Sequence, residues 1–183
     1  MEKYGVDVRC GAPAPSVTEL KAMGYTHILF AVGAWKPGKL EIAGDVAGAI
    51  QWMKGVKAGN IAVGGSIAVV GGGNTAMDAA RLAKRSGAKQ VTLVYRRTRK
   101  YMPADEHELA LALQDGVTFA ELAAPVKQAD GMLTCEKMVL GEADASGRRS
   151  PVATGEYVDI PCDLVISAVG EQVDSDLLTS NGV

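Results

Sequence analysis

Aromatic residues make up 5% of this 183-residue chain, cysteines number three and histidines two, and the net charge is only −2. Each shortage excludes something. Cys10, Cys135 and Cys162 form no C-x-x-C pair, which excludes a thioredoxin-like dithiol and a local iron–sulfur cluster and leaves free thiols in a reducing compartment. His27 and His107 sit in no metal-ligand pattern, and no metal site is expected. The near-balanced charge argues against nucleic acid as a partner. No apolar run reaches membrane-spanning length, and Met1-Glu2-Lys3-Tyr4 lacks the apolar core of a secretory signal, so no membrane span and a cytoplasmic location are expected. With 48% hydrophobic residues and 22 glycines, the composition fits tight βα turns and closely packed helices better than an all-β sandwich.

What is present begins with a glycine-rich turn. The apolar run Ser66-Ile67-Ala68-Val69-Val70 leads into Gly71-Gly72-Gly73-Asn74-Thr75-Ala76 and then a helical stretch. This is the G-x-G-x-x-A spacing of a dinucleotide-phosphate loop in the strand–turn–helix context that the motif requires. Gly71 serves the tight turn, Gly73 lets backbone N–H groups approach a pyrophosphate, and Ala76 lets the helix pack closely on the sheet. The positive end of the helix then faces the anion.

The next apolar run, Gln90 to Tyr95, has the length and β-branched content of a buried parallel strand and ends on Arg96-Arg97. In an NAD site that strand finishes on an acid that bonds the ribose 2′-hydroxyl, whereas arginine accommodates a 2′-phosphate. The ending therefore predicts NADPH. Charge-assisted bonds from a guanidinium contribute about 1.5–3 kcal/mol each, enough for a tenfold to roughly hundredfold preference. No tyrosine is followed four positions later by lysine: Tyr95, Tyr101 and Tyr157 meet Arg99, Asp105 and Pro161. No Ser, Tyr and Lys set for direct substrate reduction is visible, and no catalytic residue is assigned. A methyltransferase would need an acid where Arg96 stands.

Along the chain, Val6 to Cys10 reads as a short strand. Ser16-Val17-Thr18-Glu19 has capping-box spacing for a helix to about Met23. His27 to Val32 reads as a strong strand closed by Gly33, and Asp45 to Lys57 as a helix. A boundary is expected at Asn60 to Gly65, giving residues 1–60 as one domain, 61–170 as the nucleotide domain and 171–183 as a return segment. From Ser66 the order is strand, helix to Ser86, strand, basic loop, helix from Ala104 to Gln114, and strand Val117 to Ala120. That is β-α-β-α-β, the first half of a doubly wound sheet. Beyond it Leu133 to Leu140, Val152 to Ile160 and Leu164 to Ala168 read as strands, so a β-meander replaces the second nucleotide half.

Phe30-Ala31-Val32-Gly33 and Ser167-Ala168-Val169-Gly170 share an apolar strand ending in Ala-x-Gly, and they flank the nucleotide region. At this level the chain resembles the two-dinucleotide-domain flavoproteins. Gly71 to Asp78, Tyr95 to Arg97, Met102-Pro103-Ala104, Asp115-Gly116-Val117 and Gly33 to Leu40 look like the NADPH-oxidising small subunit of glutamate synthase and its relatives. Leu140 to Glu142, Gly147 to Arg149, Pro151 to Thr154 and Ala168 to Asp174 most resemble selenate-reductase-type iron–sulfur subunits.

The resemblance implies a Rossmann-like, three-layer α/β NAD(P)H-binding domain with a β-meander insertion, flanked by fragments of an FAD-binding domain. It implies that NADPH gives hydride to FAD and that electrons continue through iron–sulfur clusters to an electron-accepting subunit. Carried over by position, Gly72, Gly73, Asn74 and Thr75 would cradle the pyrophosphate. Arg96 and Arg97 would take the 2′-phosphate with Lys100 assisting, Ala168, Val169 and Gly170 would line the nicotinamide end, and Ala31 and Gly33 would touch the flavin side. An FAD-binding G-x-G-x-x-G, cysteine-rich cluster motifs and a terminal FAD segment do not appear in the chain. An excised domain that binds NADPH and catalyses little is therefore expected. The competing expectation is an NADP(H)-sensing module without turnover.

Overall fold

The structure is a computed structural model that describes residues 2–182 other than Trp35, Ser146 and Arg148. It forms two compact units, one of Met1–Ala34 with Val173–Val183 and one of Trp35–Gln172. In chain order the elements are α1 (Val17–Ala22), β1 (Lys36–Pro37), β2 (Val46–Gly48), α2 (Ala49–Lys57), β3 (Ser66–Val70), α3 (Asn74–Arg85) and β4 (Gln90–Tyr95). They continue with α4 (Glu106–Gln114), β5 (Thr118–Glu121), β6 (Ala123–Ala129), β7 (Met132–Ala143), β8 (Arg149–Pro161), β9 (Leu164–Ser167), β10 (Glu171–Gln172) and α5 (Ser175–Ser180).

In the first unit, the capping box starts α1. The Ser16 hydroxyl accepts from the Glu19 N–H at 3.3 Å, and the Glu19 carboxylate accepts from the Ser16 N–H at 2.8 Å. The Asn181 side-chain oxygen, just past α5, accepts from the Val17 N–H at 3.2 Å.

The second unit is built on a five-stranded sheet in the order β2-β9-β3-β4-β5, parallel throughout. Its central strands are apolar on both faces because both faces are covered. Val69, Leu93 and Ile166 point to the helical side, where α3 presents Ala76, Met77, Ala79, Ala80 and Ala83. Those small side chains let the helix lie close to the sheet. Ala68, Val70, Val94 and Val165 point the other way, against Ala123, Leu133, Cys135 and Ile160 of the antiparallel sheet β6-β7-β8. Helices, parallel sheet and meander make the three layers that the sequence leads one to expect.

Several elements differ from the sequence reading. Val6 to Cys10 and His27 to Val32 form no strand, because a strand exists only as a ladder and neither run has a partner among the described residues. Val46–Gly48 is a parallel strand beside β9 instead of the first turn of α2, and the helix after the basic loop starts at Glu106 instead of Ala104. The meander is β6-β7-β8. Its first strand, β6, contains Pro125 at a register shift on an edge, a residue that normally argues against a strand. The run from Leu164, read as the buried strand to which the meander returns, lies in the parallel sheet between β2 and β3. The expected boundary near residue 60 does not bound the compact unit, because β2 and α2 belong to the same sheet and helical layer as the elements that follow.

Candidate dinucleotide-binding site

The strand order reverses beside β3: the chain proceeds outward through β4 to β5, and β9 occupies the other flank. At such a point the loops leaving neighbouring strands diverge and open a crevice at their carboxyl ends. Here the crevice is a cavity of about 760 Å³. Its walls include Gly71 to Thr75 after β3, Arg96 and Arg97 after β4, and Ala168, Val169 and Gly170 after β9. The structure thus brings together three groups that lie far apart in sequence. The Ala168 N–H donates to the Val70 carbonyl at 2.8 Å, holding the two inner loops side by side.

The three glycines have different physical reasons. Gly71 has φ +154, and a Cβ there would lie 2.5 Å from the Ala168 carbonyl oxygen. At Gly72 a Cβ would lie 2.5 Å from the Tyr95 ring. Gly73 is the contrast: its φ is −96 and a Cβ would meet no atom within 4 Å, so nothing in the protein's own packing demands glycine there. Open space at the N-cap of α3 suits a ligand that approaches the backbone closely. The α1 and α4 N-termini carry side-chain caps from Ser16 and Asp105, whereas Gly73 offers α3 none.

The electrostatics agree with an anionic ligand. The cavity wall carries Lys39, Arg96 and Arg97 and no Asp or Glu among the described residues. The Arg97 Nε is buried without a hydrogen-bond partner, and among the described residues neither Arg96 nor Arg97 forms an ion pair. A buried, unpartnered guanidinium nitrogen is costly unless a ligand satisfies it.

Other expected residues lie elsewhere. Ala76 is fully buried against the sheet and acts through helix packing. Lys100 is exposed and lines a neighbouring cavity of about 480 Å³ with Arg99 and Met102. Ala31 and Gly33 belong to the other compact unit, where both are exposed. Lys39, Tyr95, Pro103 and Pro125 are wall residues that loop-motif reasoning passed over. The run through Lys39, Tyr95 to Arg97 and Met102-Pro103-Ala104 are family-like segments, which is the one signal that pointed at three of them, and nothing pointed at Pro125.

A profile described as pyridine nucleotide-disulphide oxidoreductase matches residues 4–183. The chain belongs to that family. It is 41% identical over 187 residues to "Putative oxidoreductase YgfK" of Escherichia coli K12, a match covering 98% of this chain and 18% of the relative. It is 37% identical over 192 residues to the NADPH-Fe(3+) oxidoreductase subunit beta of Geobacter sulfurreducens, covering 96% of this chain and 28% of the relative. The chain therefore spans under a third of the length of either. Among solved structures, Mycobacterium tuberculosis FprA in complex with NADPH aligns with a TM-score of 0.60 at 19% identity, over 77% of this chain and 49% of FprA. That likeness establishes the shared fold.

The family name invites a thiol reading, which the buried cysteines of this chain do not support. Cys135 and Cys162 are buried free thiols in the core between sheet and meander. Burial first, then the neighbouring Cys162 and Asp159, pushes Cys135 up to about 12. Burial likewise raises Cys162. Both stay protonated near neutrality and are poor nucleophiles.

Proposed function

We propose that the Trp35–Gln172 unit is the NADPH-binding domain of a flavin-dependent oxidoreductase. The observation that carries this reading is the cavity at the switch point, whose described wall residues include no carboxylate, with an open Gly73 cradle at one wall and unpaired Arg96 and Arg97 at another. Gly72, Gly73, Asn74 and Thr75 hold the pyrophosphate against the α3 N-terminus. Arg96 and Arg97 take the 2′-phosphate with planar, paired donors, Lys100 assists from the next cavity, and Ala168 to Gly170 line the nicotinamide end. When bound, NADPH supplies a hydride equivalent.

The acceptor of that hydride is FAD, held outside this unit, with residues 1–34 and 173–183 belonging to the FAD-binding portion and Ala31 and Gly33 on its flavin side. Iron–sulfur clusters would be held by other parts of the complete protein and would supply the electron path to a partner subunit. Support comes from relatives whose names specify NADPH and subunits of larger enzymes. The segments Leu140 to Glu142 and Ala168 to Asp174 favour the selenate-reductase-type branch. A cytoplasmic location belongs to the same proposal. Among the described residues no helix is long and apolar enough to cross a membrane. The chain on its own binds NADPH and turns over little.

Calorimetric titration of the chain with NADPH and NADH tests the assignment. The wild type should prefer NADPH, and replacing Arg96 and Arg97 with Ala should weaken NADPH by about tenfold to a hundredfold while leaving NADH nearly unchanged. An equal loss for both cofactors would remove the 2′-phosphate role.

A further inference from the structure

The loop from Arg96 to Asp105 is fastened on both sides by groups that are not themselves cationic. Tyr95, the last residue of β4, is buried and donates its hydroxyl to the Tyr101 carbonyl at 2.7 Å. That bond ties the far turn of the loop back to the strand that launches it. The same ring lies against Gly72, where there is no room for a Cβ. From the loop's other end, the Ala104 N–H donates to the Gly72 carbonyl at 3.0 Å and the Asp105 N–H to the Asn74 side-chain oxygen at 3.1 Å. At the β5 side, the Leu122 N–H donates to the Arg97 carbonyl at 3.2 Å, and the Arg99 N–H donates to the Glu121 carboxylate at 3.0 Å. Leu122 makes its bond from φ +55, a left-handed backbone that a leucine rarely adopts.

We propose that Tyr95 is a positioning residue for cofactor specificity: its hydroxyl and ring lock the glycine loop and the arginine loop into one frame, so that the 2′-phosphate meets guanidinium groups already in place. The inference rests on the NADPH reading above and extends it to a residue whose only polar group is engaged by the protein. A loop free to move would have to be ordered by each incoming phosphate, and that ordering opposes binding. Only a ligand carrying the 2′-phosphate uses the loop. Loosening it therefore weakens NADPH and spares the part of the affinity that NADPH shares with NADH. A purely structural contribution of Tyr95 would lower stability, or affect both cofactors alike, without changing their ratio.

The experiment is a double-mutant cycle on the full chain: wild type, Tyr95→Phe, Arg96→Ala with Arg97→Ala, and all three changes, each titrated with NADPH and NADH and each melted. Phenylalanine keeps the ring under Gly72 and removes only the hydroxyl. The expected result is that Tyr95→Phe lowers the NADPH-over-NADH preference about threefold to tenfold, and does nothing to that ratio once both arginines are gone. If Tyr95→Phe leaves the ratio unchanged in an otherwise NADPH-selective protein, whatever it does to melting, the positioning role is wrong and the NADPH reading stands. If the wild type has no preference for the arginine loop to confer, the NADPH reading falls and takes this inference with it.

Discussion

All the buried side chains of the described residues lie in the Trp35–Gln172 unit, and none lies in Met1–Ala34 or Val173–Val183. Yet the two units contain similar apolar runs. His27 to Val32 is as strand-like in composition as Gln90 to Tyr95, but Leu29 is 89% exposed and Leu93 is 0% exposed. The difference is company: β4 has β3 and β5 on its edges, α3 over one face and the meander over the other. A β-branched run supplies surface for a ladder and a layer to bury; it does not supply either one.

Replacing the two leucines sharpens this contrast most. Leu93→Ala should destabilise the chain by about 2–5 kcal/mol through lost burial and a cavity in the central sheet, whereas Leu29→Ala should change it by less than about 0.5 kcal/mol. Urea unfolding followed by far-UV circular dichroism measures both, and comparable losses would mean that the first unit has a core of its own.

The cysteines give a second, chemical comparison. Cys10 is exposed in the first unit, and Cys135 and Cys162 are buried in the second. Iodoacetamide followed by mass spectrometry should modify Cys10 in the native chain and the other two only when the second unit opens. Because the Cys135 thiol stands at about 12 against an ordinary 9.0, its neutral burial contributes stability that is intact below about pH 9 and is lost as the pH rises towards 12. Labelling of Cys135 at pH 7 as fast as that of Cys10 would contradict this burial.

The smallest effect concerns how α3 is held to the end of α4. The Arg81 Nε lies 2.9 Å from Asp115, and the Arg81 Nη1 lies 3.2 Å from Glu108. Hydrogen bonds from Arg85 and then Arg81 keep the Asp115 carboxyl below the usual 3.8, so its contribution is present above that value and is lost as the pH falls through the folded value. Asp115→Asn should lower the unfolding midpoint at pH 7 and match the wild type at pH 2. A gap that persists at pH 2 would assign the effect to packing instead of charge.

How much of this could be read in advance varied with the range of the physics. The strand, glycine loop and helix from Ser66 to Arg85, the strand from Gln90 and the capping box at Ser16 are local patterns, and the structure has them within a residue or two. β2 and β6 were not legible: Val46–Gly48 has three residues, β6 holds a proline, and each is a strand only because a neighbour is already there. Pro125 was equally hidden as a wall residue, and Lys39 and Tyr95 were marked only by lying in family-like segments, since the positions of all three depend on where other strands end.

By itself the sequence determined the glycine-rich strand–turn–helix, the arginines that follow the next strand, and the α/β class, because turn sterics, helix capping and strand periodicity act over a few residues. Only the tertiary structure decided that β9 lies beside β3, that the Ala168 loop faces the glycine loop, and that Tyr95 joins two loops into one frame. Those relations depend on strand order and on side-chain volumes meeting across the fold, which no single stretch of the chain encodes.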